Sequence, residues 1–241
     1  MLSKFISLGN KIELQEVEHK PGAEGERPKI YYSKVYEILS EDLLEIVMPM
    51  EKTKLVLLQV DNEYDLVFYG ESGLFQCFAR VVDRYKSNNV YLLRMELTSN
   101  LRKYQRREYY RFSCALEMHA RGLEEEEVLE VENKPAYILQ RGLPLRRSVI
   151  VDISGGGLRF LSSQKYDEGS LIYCNYHLVK DGVSKTYDVV GRVLAARELE
   201  NRPGTFEHRV QYYNMSRDVR EEIIKFIFEE ERKSRRKDKM S

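Results

Sequence analysis

Short runs of β-branched and aromatic residues, each of strand length and each closed by a turn signal, recur along this chain of 241 residues. That alternation restricts most of it to a mainly β fold. In the first half the expected strands are 11–17, 31–39, 43–47, 55–60, 64–69, 74–82 and 90–96, with Gly9-Asn10, Asp61-Asn62, Gly70 to Gly73 and Ser87-Asn88-Asn89 as turns. After residue 111 the runs 112–120, 148–152, 157–161, 171–179, 184–196 and 205–213 follow, with Asp181-Gly182 and Asn201-Arg202-Pro203-Gly204 as turns. About six strands are enough to close a barrel. The pattern predicts two small β-barrel domains in tandem, over 1–98 and 112–235, joined by a polar, basic linker over 99–111.

The β pattern gives way to a helical one only at the end. Val219, Ile223, Phe226 and Ile227 recur at helical spacing behind Ser216, a good N-cap, so a C-terminal α-helix over 216–235 is expected to cap the second barrel. The basic stretch 232–237 beyond it is expected to be a frayed, solvated tail. Residues 20–29, with Pro21, Gly22, Gly25 and Pro28 among charges, read as a long exposed hairpin loop. Residues 123–145 carry four consecutive glutamates from Glu124 and contain Pro135, Gly142 and Pro144, and part of the stretch reads as a solvated insertion.

Lys plus Arg and Asp plus Glu number 39 each, so net charge gives no argument for a nucleic-acid partner. Residues 1–98 hold 12 basic against 16 acidic side chains, which places the basic excess in the arginine stretch and the tail. Cys77, Cys114 and Cys174 fit no zinc or redox spacing and read as buried free thiols. The N-terminus has too few apolar residues between Lys4 and Lys11 for a signal peptide, and no run approaches the roughly 18 apolar residues of a membrane span. A cytoplasmic protein is expected.

Two stretches carry chemistry. Residues 101–112 read LRKYQRREYYRF and supply Arg106, Arg107 and Arg111; residues 152–157 read DISGGG at a strand exit. An arginine fork can take guanine O6 and N7 bidentately, stack on a base or grip a phosphate. Arg107 and Arg111, four apart, point the same way in an extended segment, whereas Arg106 faces elsewhere. Asp152 can accept from a guanine N1 or N2 group and Ser154 can donate to a phosphate. Gly155, Gly156 and Gly157 admit backbone N–H groups close to an anion. Together these residues describe a phosphate and purine site.

Arg107-Glu-Tyr-Tyr-Arg111 resembles the RxxxR motif, and Asp152-Ile-Ser154-Gly-Gly-Gly157 the DxSxxG motif, of PilZ domains, receptors of the bacterial second messenger cyclic di-GMP. The order of barrel, arginine linker, PilZ region and C-terminal helix is similar to the flagellar brake proteins of the YcgR type along nearly the whole chain. The resemblance implies a split barrel for 1–98, a six-stranded PilZ barrel after it, and cyclic di-GMP held by Arg107, Arg111, Asp152, Ser154, Gly156 and Gly157. Arg106 resembles the arginine of members that bind a stacked pair of ligands, which implies two molecules per chain. It also implies a change of interdomain geometry on binding and a protein partner, the flagellar motor or stator, with recruitment to the basal body. Exopolysaccharide or biofilm control is an alternative output.

Other classes fit less well. A PilZ-fold interaction protein that binds no nucleotide would not need the intact motifs. Gly-x-Ser-x-Gly fails because position 152 is Asp, and His19, His119, His177 and His208 have no spacing of a triad or metal set, so no enzyme is expected. Tyr104, Tyr109 and Tyr110 beside arginines could stack on RNA bases, but Tyr110 and Phe112 share a face in an alternating segment, which favours core packing. No DNA or RNA partner is expected.

Overall fold

The computed structural model describes residues 2–17, 29–133, 139–140, 142–180 and 182–238. The expected loop 20–29 up to residue 28, part of the insertion, and Asp181 lie outside them. The chain divides into two units, Met1–Arg106 and Arg107–Ser241. Each is a β structure with its own core, in keeping with the tandem barrels expected.

The first unit contains β1 (Lys11–Glu16), β2 (Ile30–Ile38), β3 (Leu43–Val47), β4 (Met50–Glu51), β5 (Lys54–Leu55), β6 (Glu63–Gly70), β7 (Gly73–Ser87), β8 (Val90–Leu97) and β9 (Arg102–Tyr104). Antiparallel pairing runs β6-β1-β2-β3-β8-β7-β9, and β6 also pairs with β7, so six strands close on themselves and β9 lies against β7. Alternate residues face inward, as Tyr64, Leu66 and Phe68 do from β6. Asn88 and Asn89, with φ of 47° and 65°, make the tight turn between β7 and β8, a conformation asparagine tolerates. The run 55–60 departs from expectation. Beyond the two-residue pairing of β4 with β5 the ladder adds one bond, the Val56 amide donating to the Pro49 carbonyl at 2.9 Å, and ends there because Pro49 has no N–H to return it. Leu55, Val56 and Leu58 still pack into the core, while Leu57 is 63% exposed.

The second unit contains β10 (Arg111–Gly122), β11 (Arg146–Ser154), β12 (Gly157–Ser162), β13 (Leu171–Lys180), β14 (Val183–Leu199) and β15 (Arg202–Tyr212). They form a closed barrel in the order β10-β11-β12-β15-β14-β13. Helices α1 (Glu125–Asn133) and α2 (Arg217–Asp238) complete it. Ser216 caps α2, its Oγ accepting from the Val219 amide at 3.4 Å. Ile223, Phe226 and Ile227 are buried in the barrel core. The expected frayed tail is helical through Asp238, with Glu231–Arg235 and Glu230–Lys233 pairs one turn apart. Cys77 and Cys174 are buried and Cys114 half-buried, all as free thiols.

The glutamate run is not a solvated loop. Glu125, Glu126 and Glu127 form the first turn of α1, where negative charge suits the helix dipole. Glu127 is buried: its oxygens accept from Arg121 Nη1 and Nη2, both at 2.6 Å, and from the Gln140 amide at 2.7 Å. It also reaches back to the Glu124 amide at 3.0 Å, half of a capping box. Val131 joins Leu171 and Val190 in a separate small core on the outside of the barrel. The acidic composition concealed an amphipathic turn with one inward carboxylate.

His208 on β15 is fully buried, stacked on Phe160 at 4.7 Å, and its Nε2 accepts from the Tyr166 amide at 3.0 Å. Burial pulls its pKa down to about 4. The unfolded chain, with an ordinary imidazole near 6.5, binds the extra proton, so this contribution is complete above pH 6.5 and is lost as pH falls toward 4. The loss amounts to about 3 kcal/mol over that window. Urea midpoints at pH 7 and pH 5 are expected to differ in the wild type and to converge in His208→Phe; equal pH slopes in both chains would remove His208 from the account.

Candidate functional site

The site is built where β10 begins and β11 ends. Arg111 is the direct partner of Ser154 and Ser113 of Asp152, so the strand that receives the arginine stretch runs beside the DISGGG hairpin. Gly155 and Gly156 form the two-residue turn into β12. Ser154 Oγ donates to the Gly157 carbonyl at 3.0 Å and accepts from the Gly156 amide at 3.3 Å, which fixes the turn from inside. A Cβ on Gly157 would lie 2.0 Å from the Val210 carbonyl oxygen. Close approach of β15, and not an anion, is what requires glycine there.

The same holds for the turn itself. Ideal Cβ atoms on Gly155 and Gly156 would meet the Tyr109 ring at 2.5 and 3.0 Å, and on Gly155 also Ile224 of α2 at 2.8 Å. Arg220 of α2 lies over Tyr109, 5.4 Å from its centroid, and Nη1 donates to the Gly155 carbonyl at 2.8 Å. Tyr110, expected in the core, is half exposed and its hydroxyl donates to Glu231 of α2 at 2.8 Å. The segment between Arg107 and Arg111 is thus seated on the glycine turn and on one face of α2. The two arginines are exposed on either side of that seat.

Asp152 is already engaged. Its Oδ2 accepts from Arg159 Nε at 2.6 Å; Arg159 also donates to Glu207 at 2.8 Å, and Glu207 takes Arg197 at 2.9 Å. An ionised carboxylate has about four acceptor positions, so Asp152 retains capacity for a further donor. Arg159 was missed in the sequence, although the turn carries a signal for it. A two-residue turn at Gly155-Gly156 pairs 154 with 157 and therefore 152 with 159. Nothing local announces Arg220 or the packing of Tyr109.

Arg106 is placed elsewhere. It belongs to the first unit, where Nη1 donates to Glu13 Oε2 at 2.9 Å and the guanidinium lies 5.9 Å from the Tyr69 ring centroid. The stretch 99–111 supplies β9 to that unit and the first residue of β10 to the other. Arg146 and Arg147 are exposed, Arg147 paired with Glu117 at 2.8 Å. Among the described residues no cluster of His, Cys, Asp and Glu could hold a metal ion, and no helix is long and apolar enough to cross a membrane.

Residues 105–229, more than half of the chain, match the family model described as PilZ domain. The chain belongs to the PilZ domain family. Residues 7–97 match a second model, PilZNR, described as flagellar protein YcgR, so both units of this PilZ protein are covered. No curated protein matches it in sequence. Among solved structures the Bacillus subtilis inhibitor of motility (MotI/DgrA) shares the fold, with 15% identity, a TM-score of 0.73, and coverage of 95% of this chain and 100% of that one. Escherichia coli YcgR in complex with c-di-GMP is 16% identical, with a TM-score of 0.46 over 97% and 89% of the two chains. The K. pneumonia MrkH complex with c-di-GMP is 14% identical, with a TM-score of 0.42 over 95% and 90%.

Proposed function

We propose that this PilZ protein is a cyclic di-GMP receptor whose site comprises Arg107, Arg111, Asp152, Ser154, Gly156 and Gly157. The observation that carries it is the register of β10 on β11, which sets Arg111 opposite Ser154 and brings both motifs to one end of the barrel. Arg107 and Arg111 close on the guanine edges and phosphates from the chain entering the barrel. Asp152, oriented by Arg159, accepts from a guanine N1 or N2 group on the other side. Ser154 holds the turn and presents the Gly156 region of the backbone toward the ligand.

Arg106 extends this reading to a second ligand molecule. Its guanidinium exchanges Glu13 for a phosphate, after which a ligand pair restrains the backbone on both sides of residue 106 and shifts the population of interdomain arrangements. The output is regulation of motility through a protein partner at the flagellar motor. The PilZNR match over the first unit and the fold shared with an inhibitor of motility support that direction.

Isothermal titration with cyclic di-GMP, with GTP and cyclic GMP as controls, tests the proposal. Selective, saturable heat is expected, and silence at tens of micromolar would overturn it. The expected stoichiometry is two ligands per chain in the wild type and one in Arg106→Ala. A wild-type ratio of one removes the role assigned to Arg106.

A further inference from the structure

We propose that the outer face of the first unit is a docking surface for an acidic, apolar segment of a partner protein. A groove of about 740 Å³ opens over β1, β2 and the β3–β4 connection. Ile12, Val47 and Met48 form its floor, and Tyr32, Met50 and Tyr69 its walls. Tyr32 and Met50 are 66% and 57% exposed, and Ile30, two residues before Tyr32 on the same face of β2, is 43% exposed. Large apolar side chains gathered around one open concavity mark an interaction surface better than the same residues scattered singly.

The charge around the groove specifies the occupant. Lys11 and Lys34 line it and are direct partners across the β1–β2 ladder, a like-charged pairing that opposes the sheet. Acids close by are already committed. Glu13, two residues along β1 on the same face, takes Arg106 at 2.9 Å and the Tyr69 hydroxyl, and Glu51, next to Met50, takes Lys29 at 2.7 Å. Among the described residues no acid pairs with Lys11 or Lys34. A carboxylate set between the two ammonium groups relieves their repulsion and gains charge-assisted hydrogen bonds. Aromatic or aliphatic side chains flanking it would cover the floor and Tyr32. A peptide segment with one or two acids between apolar residues meets both demands, whereas a phosphate alone would leave the apolar walls wet. None of these groove residues is assigned to the nucleotide site, but Arg106, which is, lies 5.9 Å from the Tyr69 ring and holds Glu13, so the charge argument applies to the chain before ligand is bound.

The test is fluorescence anisotropy of the full chain with two labelled synthetic peptides of equal length. One is built of Phe, Leu and Glu, and the other has Lys at every Glu. The acidic peptide is expected to bind, and the doubly substituted Lys11→Glu/Lys34→Glu chain to lose about tenfold in affinity for it while gaining the basic peptide. Tyr32→Ala is expected to weaken binding without reversing the charge preference. All three residues are at the surface, and unchanged heat on titrating cyclic di-GMP into each variant separates loss of docking from loss of the nucleotide site. Equal binding of the two peptides, no binding of the acidic one, or an affinity unaltered by the double charge reversal overturns the proposal. Displacement of the acidic peptide by micromolar inorganic pyrophosphate would overturn it too, by assigning the lysine pair to a phosphate ligand.

Discussion

Arg111→Ala is expected to weaken cyclic di-GMP binding by about 1–3 kcal/mol, a factor of roughly five to 150, in isothermal titration of the full chain. Arg107→Ala is expected to do the same. Arg111 is exposed at the first position of β10, so its truncation removes the ligand fork and leaves the barrel core as it was. Arg146→Ala is the control: Arg146 is an equally exposed arginine at the opposite end of β11 from Ser154, and its loss is expected to leave affinity unchanged. Unaltered binding in both Arg107→Ala and Arg111→Ala would overturn the assigned site even if the wild type binds.

Glu127→Ala is expected to destabilise the second unit by about 3–5 kcal/mol, read as the shift of its urea unfolding midpoint. The size follows from what remains behind. Arg121 is 6% exposed, and without Glu127 its guanidinium keeps, among the described residues, the Gly122 and Gln140 carbonyls, the face of Tyr173 and the nearby charge of Glu124. The Gln140 and Glu124 amides lose their acceptor as well. Replacing both partners, Arg121→Leu with Glu127→Leu, is expected to recover much of the loss, because no uncompensated buried charge is left. A double variant as unstable as the sum of the single ones would contradict that account. Hydrogen bonding from Arg121 holds the Glu127 carboxyl down at about 2, below the usual 4.5. The pair's contribution is therefore present above pH 4.5 and is lost as pH falls through 2.

The strands, most of their turns and the capping helix were legible because each rests on a local rule; the turn expected at 201–204 falls instead at Glu200–Asn201, with Arg202 to Gly204 already in β15. Alternation in β6, the paired asparagines after β7, and Ser216 three residues before Val219 all act within a few positions. Both motifs of the candidate site were legible as residue types at fixed spacing, and Arg159 would follow from the turn between them. The misreadings share a different cause. Residues 55–60 are apolar enough for a strand but lack a partner long enough to pair with them. The glutamate run is charged enough for a loop, yet one carboxylate finds a buried arginine on the preceding strand. Tyr110 alternates with Phe112 as a core residue would, but its hydroxyl goes to a glutamate far along the chain in α2.

The sequence by itself determined the mainly β character, the two barrels and the spacing of the RxxxR and DxSxxG motifs, since periodicity, turn chemistry and motif spacing are properties of neighbours. Only the tertiary structure decided that Arg106 is held by Glu13, that Tyr109 sits on Gly155 and Gly156 beneath Arg220, and that Lys11 faces Lys34 beside an apolar groove. Those contacts join residues distant in the chain, and strand register or the packing of α2 brings them together. A slip of one position in register turns every side chain of a strand to the other face, so no local rule could have supplied them.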